Sequence, residues 1–106
     1  MKNNKMNSGR RDKDNNEIFV GDILEITFLN PGTKQVSSWR LGKVDCKNGV
    51  ICVIMIDNNG VECMYDINSI LGDNDMVFKV VGNISKHPKL WKEAKGKYIH
   101  FDLAEE

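Results

Sequence analysis

Several features that would mark a metalloprotein, a redox enzyme or a membrane protein are missing from this 106-residue chain. Its three cysteines, Cys46, Cys52 and Cys63, never fall in the C-x-x-C spacing that zinc and redox sites use. Its two histidines, His87 and His100, stand thirteen residues apart, so neither a metal nor a cofactor is expected. No apolar run reaches the roughly 18 residues of a membrane span, and no signal-peptide core is present. Together with the odd cysteine count, this points to a reducing, cytoplasmic setting and away from a membrane. There is no surplus of either charge, fifteen basic side chains standing against fifteen acidic ones. That balance excludes a general polyanion binder and an acidic mimic of nucleic acid. Nor is there an internal repeat, which removes solenoids and propellers.

What the chain does have is one continuous apolar stretch, Val50-Ile51-Cys52-Val53-Ile54-Met55-Ile56. Seven residues rich in Val and Ile suit a pleated strand, and a strand apolar on both faces must be covered on both. It is expected as the central strand, entered by the Asn48-Gly49 turn and left by Asn58-Asn59-Gly60. Upstream, Ile23 to Leu29 alternates, with Leu24, Ile26 and Phe28 on one face. Trp39 to Cys46 forms a second strand in which Gly42 marks a bulge or bend. Val61 to Tyr65 and Met76 to Ile84 complete a meander of five strands, with one helical turn near Ile67 to Leu71 between them. The fold class is therefore mainly β: a small curved five-stranded sheet, or an SH3-like partly open barrel, with a short C-terminal helix.

The helix is expected over 88–95, where Leu90, Trp91 and Ala94 share an arc opposite Lys89, Lys92 and Lys95. Pro88 suits its first position and Gly96 the residue past its end. Residues 1–16 contain few large apolar groups and read as a flexible basic arm, residues 17–106 as one β-rich domain, and residues 96–106 as an extension of it that includes a further alternating stretch.

The neutral total hides blocks. Residues 86–97 carry five lysines and one glutamate, residues 98–106 three acidic groups and no basic one, and residues 1–14 five basic and two acidic groups. Lys89, Lys92, Lys95 and Tyr98 are thus the first candidates for contact with a partner, and Arg10 and Arg11 of the arm the second. Interleaved lysines and aromatics also suit nucleic acid, but Trp91 falls on the apolar arc and reads as core. A catalytic reading fares worse. Tyr98, His100 and Asp102 share a strand face without a recognisable nucleophile or oxyanion device, and the cysteines read as buried core thiols.

Two stretches carry a resemblance. Asp12 to Leu24, with Glu17-Ile18-Phe19-Val20-Gly21-Asp22 at its centre, is similar to the opening motif of YopX-type proteins of phages and prophages. Val80-Val81-Gly82-Asn83-Ile84 through Pro88-Lys89-Leu90 resembles the closing motif of the same family. His87 and Lys89 stand where that family usually has Asn and Glu, so this helix exchanges a good cap and a favourable charge for basicity. The resemblance implies a mobile-element origin and a curved β-domain, and it carries no established reaction. The resulting expectation is a non-enzymatic accessory protein that binds a host or phage protein with an acidic surface, inhibition of a bacterial defence or other host factor being one form. A small nucleic-acid-binding module is the alternative.

Overall fold

The computed structural model describes residues 6–56, 61–94 and 99–100. Chain order is β1 (Asn7–Arg11), β2 (Glu17–Phe19), β3 (Asp22–Leu29), β4 (Val36–Lys47), β5 (Val50–Ile56), β6 (Glu62–Asp66), α1 (Ile67–Leu71), β7 (Met76–Asn83), α2 (Pro88–Ala94) and β8 (Ile99–His100). The main sheet is antiparallel in the order β6-β5-β4-β3-β7, with β8 pairing β4 beside Ser38 and Trp39. The end strands β6 and β7 are not paired with each other, so the sheet stays open and the barrel alternative is not realised.

The middle position belongs to β4, which pairs β3 through Val36 to Lys43 and β5 through Gly42 to Lys47. The apolar strand β5 lies one place out from the centre, a correction to its expected central position. Its burial is nonetheless two-sided: Val53 and Met55 join a core with Ile18, Leu24, Ile26, Val44, Ile67, Ile70 and Phe78, while Ile56 joins Ile23 and Trp91 on the opposite face. The β4–β5 hairpin turns at Asn48 and Gly49, φ +53° and +80°, the two left-handed positions that a type I′ turn requires. The turn expected at Asn58-Asn59-Gly60 lies outside the described residues.

Gly42 is not a bulge, since the β3–β4 register runs through it unbroken, from Leu41 opposite Glu25 to Lys43 opposite Ile23. A Cβ there would stand 2.7 Å from Val53 Cγ1 and 2.9 Å from Ile26 Cδ1, so the sheet needs glycine in order to pack. Val53 is β-branched and stiff at χ1 and cannot swing aside cheaply. Gly42→Ala is expected to lower stability by about 1 to 3 kcal/mol, read as a reduced urea midpoint at unchanged slope. An unchanged midpoint would show that the neighbours have room to relax.

The expectation of a flexible arm over 1–16 is corrected from Asn7 onward. β1 pairs antiparallel with β2, and Ile18 of β2 is fully buried in the core. The turn that follows β1 is held by Asp12, whose carboxylate accepts from the amides of Asp14 (2.9 Å), Asn16 (2.8 Å) and, across the molecule, Val80 (2.8 Å). Order here comes from polar bonds, which hydropathy does not register. Of the three cysteines, all free, only Cys52 is buried, whereas Cys46 and Cys63 are partly exposed, a correction to the reading of all three as core. Burial, then the nearby Asp45 carboxylate, pushes the Cys52 thiol up and keeps it in its unreactive form.

Candidate functional site

The basic C-terminal segment is placed by a polar hinge at the end of β7. Gly21, at φ +99°, donates its N–H to Val44 O (2.8 Å), and its carbonyl accepts from Ile84 N (2.7 Å). A side chain at Gly21 would be strained whatever the space available. Next to it the buried Asp22 accepts from Phe19 N (2.8 Å) and from Asn83 Nδ2 (3.3 Å). Asn83 uses every remaining group it has: Oδ1 accepts from Ser85 N (2.8 Å), its carbonyl from His87 N (2.6 Å), and its own N–H donates to His87 Nδ1 (3.1 Å). That last bond needs a lone pair on Nδ1, so the neutral ring carries its proton on Nε2. His87 therefore pins the turn with a ring nitrogen.

Gly82 lets α2 come close. A Cβ on it would lie 2.9 Å from Leu90 Cδ2 and 3.0 Å from His87 Nδ1. α2 then seats Trp91, 6% exposed, against Ile23 and Ile56, with Leu41, Ile84 and Leu90 around it. Lys43 Nζ of β4 sits 5.6 Å from the centre of the Trp91 ring, a cation–π distance. Two turns of isolated helix would not hold in water, so this packing is what keeps α2 folded.

With Trp91 turned inward, Lys86, Lys89 and Lys92 are exposed. Lys86, His87, Pro88, Lys89 and Leu90 line a concavity of about 540 Å³, basic at its rim and apolar along Pro88 and Leu90. The ion pairs formed by the described residues all lie away from this surface, although Lys43 and Lys79 elsewhere on the sheet also pair with no described carboxylate. Arg11 pairs with Glu17 at 3.3 Å, Lys13 with Asp14 at 4.0 Å, Lys34 with Asp75 at 2.6 Å and Lys47 with Asp45 at 3.8 Å. Among the described residues, Lys86, Lys89 and Lys92 pair with no carboxylate.

The expected site residues are thus divided. Lys89 and Lys92 lie on one side of α2, and Lys86, outside the first candidate set, joins them through the turn. Lys95 and Tyr98 lie outside the described residues, as does the side chain of Ala94. Arg10 and Arg11 are on β1, on a separate ribbon, and are engaged there: Arg10 bonds Asn68 Oδ1 (3.2 Å), and Arg11 bonds Asn15 O (2.9 Å) as well as Glu17. They staple the ribbon to itself and to α1. Of Tyr98, His100 and Asp102, only His100 falls in a described element, in β8 opposite Ser38.

Arg40 was invisible to the pattern reading. It occupies the core face of β4 opposite Ile26, its guanidinium 5.4 Å from the Phe28 ring, in a pocket of about 260 Å³ that Met55, Tyr65 and Ile70 also line. The alternation Arg40, Gly42, Val44 was the available signal.

No helix of the described residues is long and apolar enough to cross a membrane. Comparison with curated proteins and with solved structures finds no match. The family model described as YopX protein matches residues 6–92, which takes in the Asp12 turn, the Gly21-Asp22 and Gly82-Asn83 hinge and most of α2, and the chain belongs to the YopX family.

Proposed function

We propose that this chain is a non-enzymatic phage or prophage accessory protein that binds a host or phage protein with an acidic surface, through the stretch Lys86 to Lys92. Inhibition of a bacterial defence or another host factor in the cytoplasm is one form this binding could take. The observation that carries the reading is the set of three exposed lysines, without carboxylate partners among the described residues, two on a helix locked to the sheet by Trp91 and one, Lys86, on the turn that leads into it. Exposed unpaired cations on a rigid support raise the association rate of an acidic partner while contributing little to folding. Lys89 in the first turn even opposes the helix dipole, by roughly 0.3 to 1 kcal/mol.

The burial of Trp91 favours a protein over a nucleic acid as that partner, because it withdraws the aromatic platform on which an unpaired base would stack. Binding to duplex DNA would instead be electrostatic, weakening with a log-log salt slope of about −0.9 per phosphate contacted.

The test reverses the charges. Lys86→Glu, Lys89→Glu and Lys92→Glu together are expected to leave the melting temperature close to that of the parent, since exposed substitutions usually stay within about 0.5 kcal/mol. The same protein should lose capture of the bound host or phage protein. Capture retained by the folded variant, or salt-sensitive binding of duplex DNA by the parent, would sink the reading.

A further inference from the structure

The two edges of the main sheet are finished differently. The outer edge of β7 is occupied by the turn after β1: Phe78 O accepts from Lys13 N at 2.9 Å, and Val80 N donates to Asp12 Oδ2 at 2.8 Å. β6 pairs with β5 on one side, and no other described strand runs along its second side. Natural edges are commonly blunted by lysine, proline or a bulge. β6 has no lysine, proline or bulge, its charges, Glu62 and Asp66, stand at its two ends, and it presents large apolar groups as well: Val61 just before it is 56% exposed, Met64 58% and Tyr65 39%.

We propose that β6 is a homodimerisation edge, pairing antiparallel with β6 of a second copy about a two-fold axis at Cys63. A two-fold axis that continues the sheet stands perpendicular to it and keeps each side chain on its own face, so it must pass opposite a residue. That leaves four positions short of the strand's last residue. An axis at Glu62 opposes Glu62 to itself, and one at Met64 sets Glu62 opposite Asp66 of the second copy twice, both like-charge pairings that destabilise. An axis at Tyr65 runs the second strand past Asp66 into α1. The axis at Cys63 places Val61 opposite Tyr65 of the second copy twice, Glu62 opposite Met64 twice, and Cys63 opposite Cys63. Val61, Cys63 and Tyr65 share one face, so this register extends the row of apolar side chains across the junction and keeps every carboxylate off its counterpart. Self-complementarity of the strand selects a second copy as the occupant. The inference is independent of the lysine surface on α2, which is a different element.

The whole chain is measured in reductant by light scattering from about 10 μM to about 1 mM, a range suited to an edge smaller than a standard interface. The mass should rise with concentration from the 12.0 kDa of one chain toward twice that value. A mass that stays at 12.0 kDa throughout overturns the proposal and gives the edge to a strand of a different protein. Without reductant, diamide takes two electrons and two protons from a facing pair of thiols, and peptide mass spectrometry should find Cys63 joined to Cys63. A dimer that yields no such link overturns the register. Val61→Lys with Tyr65→Lys should hold the protein monomeric over the whole range, and a dimer that persists in that variant overturns the edge. The cross-link on the unaltered chain decides the matter even if the variant fails to fold.

Discussion

Trp91→Ala is expected to remove about 3 to 5 kcal/mol of stability, the usual cost of deleting a large buried aromatic. Trp91 has Ile23 and Ile56 beneath it and Leu41, Ile84 and Leu90 around it, so truncation empties the centre of the second core. A domain of this size commonly has only about 5 to 15 kcal/mol in total. The loss should appear as a large fall in the urea midpoint, together with loss of far-ultraviolet helix signal before the sheet unfolds, because α2 has no other buried anchor of that size. Binding through Lys86, Lys89 and Lys92 should weaken with it, since the lysines would no longer be held on a fixed surface. An unchanged midpoint would mean that α2 is not docked as described.

Asp12→Ala is expected to cost about 3 kcal/mol, because it leaves the amides of Val80, Asp14 and Asn16 without their acceptor in a place that excludes most water. The effect should be carried by pH as well. Burial alone would raise this carboxyl, but the hydrogen bonds from Val80, Asn16 and Asp14 together outweigh it and hold the group below its ordinary 3.8. A folded value below the unfolded one means that the contribution is fully present above pH 3.8 and is lost as pH falls through the folded value. In acid titrations of stability the parent should therefore drop more steeply than Asp12→Ala, and the two curves should converge at the lowest pH. Parallel curves would exclude a native-state role for the ionised carboxylate. The neighbouring surface pairs, such as Arg11 with Glu17, are exposed and should change stability little when broken.

Much of the sheet was legible in the order of residues. The alternation of Leu24, Ile26 and Phe28 assigns a face, and the continuous run from Val50 to Ile56 demands cover on both sides, which is what the two cores supply. These are local signals that follow from the two-residue period of a strand. What remained hidden depends on distance along the chain. Asp12 caps its own turn through Asp14 and Asn16 but ties that turn to the sheet by reaching Val80, 68 residues away, and no pattern within Asp12 to Asn16 reveals that amide. Strand order is non-local too, so periodicity could mark β5 as doubly buried without showing that β4 occupies the middle. Gly42 reads as a bend in sequence, yet its neighbours across the sheet, Val53 and Ile26, are what exclude a side chain.

The candidate site was legible to the same extent and for the same reason. Helical spacing was enough to put Trp91 inward and Lys89 and Lys92 outward. It could not show that His87 ties its ring to Asn83, that Lys86 joins the surface through this turn, or which cations already have carboxylates. Arg10 and Arg11 illustrate the last case, since by charge alone they resemble the lysines of α2, while in the fold they are engaged by Asn68, Asn15 and Glu17.

The most direct test of the binding account is hydrogen–deuterium exchange on the protein alone and in complex with the host or phage protein it captures. The account predicts added protection in peptides spanning Ile84 to Lys92, with the β1–β2 ribbon at Arg10 and Arg11 unchanged. A complex that protects the ribbon or the sheet and leaves Ile84 to Lys92 exchanging as before would contradict it.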